Sequence, residues 1–131
     1  MLKIPSPLSD ELEALIHQTI GCCITVHRVL GPGLLETVYC RATQLELEAS
    51  RISYENEKQF TVLYRGQTLC HQRVDFVVAN HIVLEIKAVD SLSPVHRAQL
   101  ISYLRVSGLH VGLLMNFNVP VLQDGIKRVV L

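Results

Sequence analysis

The sequence predicts a single α/β domain in which a mixed central sheet is flanked by helices, in the order ααβββαββ. Three observations support this fold class. Two helical patterns come first, alternation of apolar and polar residues begins near Ile52, and one more helical pattern interrupts the strands. A chain of 131 residues with 49% apolar residues has the length of one domain, which buries about two-thirds of its surface. The domain is predicted to cover 1–131, with residues 1–8 as an N-terminal tail.

The first two elements are predicted to be helices. Over 9–30, apolar side chains recur at the i, i+3, i+4 spacing of a buried stripe, Ser9 can cap the N-terminus, and Gly31-Pro32 ends the helix. A second helix is predicted over 34–49, after the Gly-Pro-Gly break. The four cysteines lack the spacing of zinc ligands, and we expect them to be buried free thiols.

Strands are predicted where the apolar period changes to two. They cover 52–64, 67–78, 82–89, 110–117 and 126–131, and Arg65-Gly66 forms the turn between the first two. A third helix over 94–107 begins after Ser93, carries Pro94 at its first position and ends before Gly108. This helix joins the third strand to the fourth, so we expect a crossover between two parallel neighbours.

The charges balance overall but are unevenly distributed. Twelve basic and twelve acidic residues give a net charge of zero. Residues 1–57 hold four bases and eight acids, whereas residues 58–131 hold eight bases and four acids. A nucleic-acid partner is therefore compatible with the neutral total. No uncharged run is long enough to span a bilayer and no secretory signal is visible, which predicts a cytoplasmic protein without a membrane partner.

Two carboxylates and a lysine on adjoining strands are the main candidates for chemistry. Asp75 and Glu85 could hold Mg²⁺, which prefers oxygen ligands, with the ammonium group of Lys87 beside it. The carboxylates share a face only if the strands pair Val78 with Ile82, which requires a three-residue loop. In that loop Asn80 and His81 both tolerate the positive φ that such loops need. The alternative interpretation is a solvated polar face of a half-exposed sheet.

Two polar helical stripes support a site. His96, Gln99 and Tyr103 lie at i, i+3 and i+7 on the third helix, and Glu36 heads a comparable stripe with Tyr39 and Thr43 on the second. Val83 and Val89 are predicted to share the face of the two carboxylates.

The ordered motifs resemble a known family. Gly33 to Tyr39 reads GxxExxY, and it is followed by Asp75, Glu85-Ile86-Lys87, the QLISY segment from Gln99 to Tyr103, and Asn116-Phe117. Over residues 9–131 the sequence resembles the GxxExxY proteins, small bacterial members of the PD-(D/E)XK nuclease superfamily. The resemblance implies a restriction-endonuclease-like fold. Val74 stands where the literal PD motif has Pro, which is not a ligand.

The resemblance also implies roles for individual residues. Asp75, Glu85 and the backbone carbonyl of Ile86 would bind Mg²⁺ or Mn²⁺, and Lys87 would assist the attacking water. Glu36 would complete the site, and Gln99 and Tyr103 would line it. Candidates for phosphate contacts are the bases of the C-terminal half: Arg73, Arg97, Arg105, Lys127 and Arg128.

The leading functional hypothesis is a Mg²⁺-dependent nuclease that hydrolyses phosphodiester bonds of DNA or RNA by metal-activated water. The alternative is a catalytically silent module with the nuclease fold, which binds nucleic acid or protein or assembles as a homodimer. A metal-carboxylate enzyme acting on a phosphorylated small molecule is a more remote hypothesis.

Overall fold

The computed structural model describes residues 6–131. The elements occur in the predicted order: α1 Asp10–Leu30, α2 Glu36–Ala49, β1 Tyr54–Tyr64, β2 Gln67–Val78, β3 Ile82–Lys87, α3 Pro94–Ser107, β4 Val111–Asn116 and β5 Ile126–Val130. A short 3₁₀ helix at Leu122–Gly125, which was not predicted, precedes β5. No helix within 6–131 combines the length and the apolar character needed to cross a membrane.

The predicted tail, residues 1–8, is described only from Ser6 onward. Residues 1–5 lie outside the described residues. The Ser6 hydroxyl donates to Glu13 on α1, and the Leu8 N–H donates to Ser6 at 3.1 Å. Ser9 caps α1 as predicted, because its hydroxyl accepts the Leu12 N–H at 3.1 Å. The segment just before α1 is therefore bound to the first turns of the helix.

The five strands form one mixed sheet in the order β1-β2-β3-β4-β5. Neighbours are antiparallel except β3 and β4, which are parallel and are joined through α3. The predicted parallel pair is thus confirmed. β3 ends at Lys87 and does not extend to Val89.

Two apolar cores lie on the two faces of the sheet. The larger one, against α1 and α2, contains Phe76, Ile86 and Phe117. The smaller one, beneath α3, contains Val83, Leu100 and Leu114. All four cysteines are free, but Cys70 is exposed and Cys40 only half-buried, so burial was wrongly predicted for these two.

Part of the β1–β2 pair extends beyond β3 as a two-stranded ribbon. β1 and β2 pair from Tyr54↔Val78 to Tyr64↔Gln67, whereas β2 pairs with β3 only over 76–78. We call residues 58–74 the ribbon. Its predicted turn is confirmed, since Arg65 and Gly66 have φ of 51° and 79°. One face of the ribbon lies against α3.

α3 lies close to the sheet at a glycine. A Cβ on Gly112 of β4 would sit 2.7 Å from Leu100 Cδ1 on α3. The missing side chain therefore allows the helix to approach the sheet and sets the position of Gln99 and Tyr103.

Candidate active site

The loop between β2 and β3 has the length that the site hypothesis requires. The strands pair as Val78↔Ile82, Val77↔Val83 and Phe76↔Leu84, so the three-residue loop is confirmed. Positive φ falls on Ala79 (48°) and Asn80 (61°) rather than on Asn80 and His81. The His81 N–H closes a β-turn by donating to the Val78 carbonyl at 3.0 Å, and such a turn can place both central residues in the left-handed region.

The two carboxylates lie opposite each other, where the backbone pairing of β2 and β3 stops. Glu85 Oε1 accepts the Asp75 N–H and Asp75 Oδ2 accepts the Ile86 N–H, each at 2.8 Å. Glu85 is 5% exposed and Asp75 is half-buried. The two carboxylates thus accept the N–H groups that backbone carbonyls would accept in a continuous ladder. We call this place the open end of the β2–β3 ladder.

The regular alternation of side chains between the two faces of the sheet is interrupted in β2 at Asp75. Val74 packs with Val77 in the core beneath α3, although the alternation predicted that it faces the same way as Phe76. Opposite Asp75, Glu57 of β1 has φ of 55° and forms no ladder pair, and Asn56 Nδ2 donates to the Asp75 carbonyl at 2.9 Å. Irregularity in both strands therefore turns Asp75 toward the site.

Burial and mutual repulsion raise the pKa values of three carboxyl groups here. Burial raises the pKa of Glu85 to about 8, and the charge of Asp75 adds to this, whereas the Asp75 N–H and Lys87 oppose it. Burial also raises the pKa of Asp75, against the Ile86 N–H and the charge of Lys87. For Glu36, burial and then the charge of Asp75 raise the pKa, while Lys87 lowers it. These carboxyl groups form one electrostatic cluster around Lys87.

The donor set of the cluster fits a hard divalent cation. Within residues 6–131, no three His, Cys, Asp or Glu side chains form a ready ligand group. Asp75 and Glu85 provide two carboxylates, however, and Mg²⁺ commonly binds through one or two carboxylates plus water and phosphate. The Ile86 N–H points to β2, and its carbonyl points to the same side because the two groups of a strand residue share an edge. A dication would favour the deprotonated form of carboxyls whose pKa is raised.

The predicted helical residues meet the cluster from two sides. Glu36 is the first residue of α2. Burial raises the pKa of Tyr103 on α3, and the charges of Glu85 and then Asp75 raise it further, which places this phenol beside the carboxylates. Gln99 lies one turn earlier and is exposed.

Two adjoining concave surfaces connect these groups. Glu36 and Asp75 line a pocket of about 250 Å³ between α2 and β2. Gln99 and Tyr103 line a cleft of about 520 Å³ between α3 and the ribbon. Arg73 lines both, so it is the predicted phosphate contact that the fold places at the site.

The other predicted phosphate contacts lie farther away. Arg97 and Arg105 are exposed on α3 and are outside the lining of the cleft. Lys127 on β5 is two strands from Glu85, in register through Leu114. Arg128 is paired with Glu13 of α1.

The Arg128 pair belongs to the far edge of the sheet. Hydrogen bonds from Arg128 and then Ser6 hold the pKa of Glu13 at about 2. The Arg128 guanidinium is therefore engaged on the α1 side, away from the carboxylate cluster.

Comparison with known proteins assigns a superfamily. A family model described as the PD-(D/E)XK nuclease superfamily matches residues 13–129. The chain belongs to this superfamily. No curated protein and no solved structure matches the chain. Its mixed sheet with three helices is consistent with the predicted restriction-endonuclease-like fold, whereas membership of the narrower GxxExxY group stays a prediction.

Two buried residues support the candidate site and were not assigned this role from the sequence. Tyr39 is fully buried, stacks on Phe117 with ring centroids 4.6 Å apart, donates its hydroxyl proton to the Gly31 carbonyl and accepts the Leu34 N–H. It thereby fixes the loop that leads to Glu36. The GxxExxY pattern contained this tyrosine but did not reveal its structural task.

Asn116 fixes the segment that follows Lys87. Its side chain accepts the Val89 N–H at 3.0 Å and donates to the Val89 carbonyl at 2.9 Å. Asn116 is only 2% exposed. At the end of β4, the Asn116 side chain thus pairs with the Val89 backbone after the β3–β4 backbone pairing has ended. Because this partner is a side chain and not a strand backbone, Val89 lies outside the strand.

Proposed function

We propose that this PD-(D/E)XK domain is a divalent-metal-dependent nuclease that hydrolyses phosphodiester bonds of DNA or RNA. The observation that carries the proposal is the pair of opposed carboxylates, Asp75 and Glu85, at the open end of the β2–β3 ladder. Their raised pKa values reflect a buried concentration of negative charge that a dication would stabilise.

Asp75, Glu85 and the Ile86 carbonyl are the groups that would hold Mg²⁺ or Mn²⁺. When bound, the cation would supply Lewis-acid activation of water and neutralise charge on the phosphate. Lys87 already acts electrostatically on all three carboxyl groups. Its ammonium group would orient the water or offset phosphate charge.

The surrounding residues would bind and orient the substrate. Glu36, whose pKa is raised, would accept a hydrogen bond from water at the edge of the site. Gln99 and Tyr103 would orient the substrate from α3, and Arg73 would contact a phosphate beside Asp75. Longer-range phosphate contacts would come from Arg97, Arg105 and Lys127, whereas Arg128 is engaged by Glu13 and is not proposed as one.

The test is cleavage of labelled single-stranded DNA, duplex DNA and RNA with Mg²⁺, Mn²⁺ or EDTA. We expect metal-dependent cleavage that Asp75→Asn or Lys87→Met reduces by at least about 100-fold. Asp124→Asn is the matched control, because Asp124 is exposed in the 3₁₀ helix outside the site. A folded protein that cuts none of these substrates in either metal would contradict the proposal.

A silent nuclease-fold module is the second candidate, and one observation favours it. Both carboxylates accept backbone N–H groups across the strands, so they stabilise the open end of the ladder even without chemistry. This candidate predicts oligonucleotide binding without cleavage in any metal, and unchanged binding in Lys87→Met. A homodimer stays a prediction and is checked by sedimentation equilibrium.

A further inference from the structure

The backbone of Asp75 is held by two side chains from the neighbouring strands. Asp75 forms no ladder pair with β1 or β3, and Glu57 opposite it in β1 is also unpaired. The Asp75 N–H donates to Glu85 Oε1 at 2.8 Å, and the Asp75 carbonyl accepts from Asn56 Nδ2 at 2.9 Å. Of these two partners, Asn56 is the one that is not itself a proposed metal ligand. Its hydrogen bond to Asp75 can therefore persist when a cation binds.

A chain of side-chain hydrogen bonds connects Asn56 to α2. Asn56 Oδ1 accepts from Gln44 Nε2 at 2.7 Å, and Gln44 Oε1 accepts from Arg41 Nη1 at 2.7 Å. These three residues line the pocket of about 250 Å³ that Glu36 and Asp75 also line. The chain therefore runs along the pocket, from the helix that begins with Glu36 to the strand that carries Asp75.

Arg41 fixes the direction of every bond in this chain. A guanidinium group has donors and no acceptor, so the Gln44 oxygen faces Arg41 and the Gln44 amino group faces Asn56. The Asn56 oxygen is then used by Gln44, which leaves the Asn56 amino group for the Asp75 carbonyl. A reversed Asn56 amide would bring two oxygen atoms together at Asp75. Hydrogen bonds that are aligned in this way polarise and strengthen one another.

We infer that Asn56 is a positioning residue for the metal ligand Asp75, and that Gln44 and Arg41 act through it by fixing the direction of its amide. The inference rests on the metal site of the proposed function. Because Asp75 lies where both strands are irregular, regular ladder pairing does not fix its peptide unit, and the bond from Asn56 does. A metal ligand that is already held in place by its neighbours binds a cation more tightly.

The test is the affinity of the full chain for Mn²⁺, measured without nucleic acid from the electron paramagnetic resonance of the free ion. Asn56→Leu removes both hydrogen bonds of the amide with little change in volume, and Gln44→Met removes the link to Arg41. We expect Asn56→Leu to lower the Mn²⁺ affinity by about three- to tenfold and Gln44→Met by at least about twofold, the range of one net hydrogen bond. In the Asn56→Leu background, Gln44→Met should have no further effect, because Gln44 acts through Asn56.

Gln59→Met is the matched control, since Gln59 is an exposed amide on the same strand and lies outside the lining of the pocket. It should bind Mn²⁺ like wild type. Urea unfolding in EDTA measures the stability of each variant, and affinities are compared where all variants are folded. A general loss of stability would not make the effect of Gln44→Met depend on Asn56.

Four results would each overturn the inference: no Mn²⁺ binding by the wild-type chain, unchanged affinity in Asn56→Leu, an equal loss in Gln59→Met, or additive losses in the double variant. If Asn56→Leu does not fold, Gln44→Met decides, and an unchanged affinity in that variant overturns the inference as well.

Metal affinity separates this inference from the proposed nuclease. Suppose that metal-dependent cleavage is lost in Asp75→Asn but that Mn²⁺ affinity is unchanged in Asn56→Leu. The nuclease would then stand and the positioning role would be lost. A chain whose Mn²⁺ affinity depends on Asn56, but which cuts nothing, would keep the positioning role and lose the nuclease.

Discussion

Replacing Glu85 by Gln should weaken the pH dependence of stability between about pH 5 and pH 8. In the folded protein the pKa of Glu85 is raised from 4.5 to about 8, chiefly by burial. Between these values the folded protein holds a proton that the unfolded chain has released. The free energy of unfolding therefore falls as the pH rises through this window, and stability is greatest on the acid side.

The size of the effect follows from the two pKa values. The difference is 8 − 4.5 = 3.5 units, and at about 1.4 kcal/mol per unit the upper limit is about 5 kcal/mol. Because Asp75 shares the same buried charge, we expect wild-type protein to lose roughly 2–5 kcal/mol between pH 5 and pH 8. Glu85→Gln should lose less than half as much.

The assay is urea unfolding in EDTA at both pH values. Glu11→Gln is the matched control, since Glu11 is exposed in the first turn of α1, and it should behave like wild type. Adding Mg²⁺ at pH 8 should raise the stability of wild type more than that of Glu85→Gln. Wild-type stability that stays level or rises from pH 5 to pH 8, or an equal fall in Glu85→Gln, would refute the reasoning.

The remaining predictions concern packing around the site. Gly125→Ala should destabilise the fold by at least about 2 kcal/mol in urea unfolding, because its Cβ would overlap the Asn116 carbonyl oxygen. Gly21 lies inside α1, and a Cβ added there would meet nothing within 4 Å. Gly21→Ala should therefore be neutral or stabilising by up to about 1 kcal/mol. Tyr39→Phe should cost about 1–3 kcal/mol, since both hydrogen bonds of the hydroxyl to the loop before α2 are lost. The same change at exposed Tyr64 should have little effect, and equal costs at the two tyrosines would contradict this assignment.

The order of elements and the loop between β2 and β3 could be predicted because both depend on local pattern. Period-two alternation located the strands, and the requirement that Asp75 and Glu85 share a face fixed the three-residue loop, which the register confirms. Which loop residues take positive φ depends on how the turn closes: closure through His81 places Ala79 and Asn80 in the left-handed region, and of the two residues noted as tolerant only Asn80 is there.

The interior of the site could not be predicted from periodicity. Strand alternation assumes a continuous ladder, but the alternation of β2 is interrupted at Asp75. Val74 was therefore predicted on the wrong face of the sheet. The stacking of Tyr39 on Phe117 and the hydrogen bond of Asn116 to Val89 join segments distant in sequence, and no local pattern reports such contacts. Arg128 shows the same limit, since only the tertiary fold brings Glu13 beside it.

The ribbon has a consequence for the time scale of motion at the site. Its far half, toward Arg65, has no third strand beside it, and its outer residues are exposed. Backbone amides there should exchange with solvent by local opening, whereas those of β3 and β4 should exchange only when the whole domain unfolds. One wall of the cleft can therefore fluctuate while the strand that carries Glu85 stays fixed. The less stable ribbon can thus open for a ligand, while the more stable part of the sheet keeps the carboxylate pair rigid.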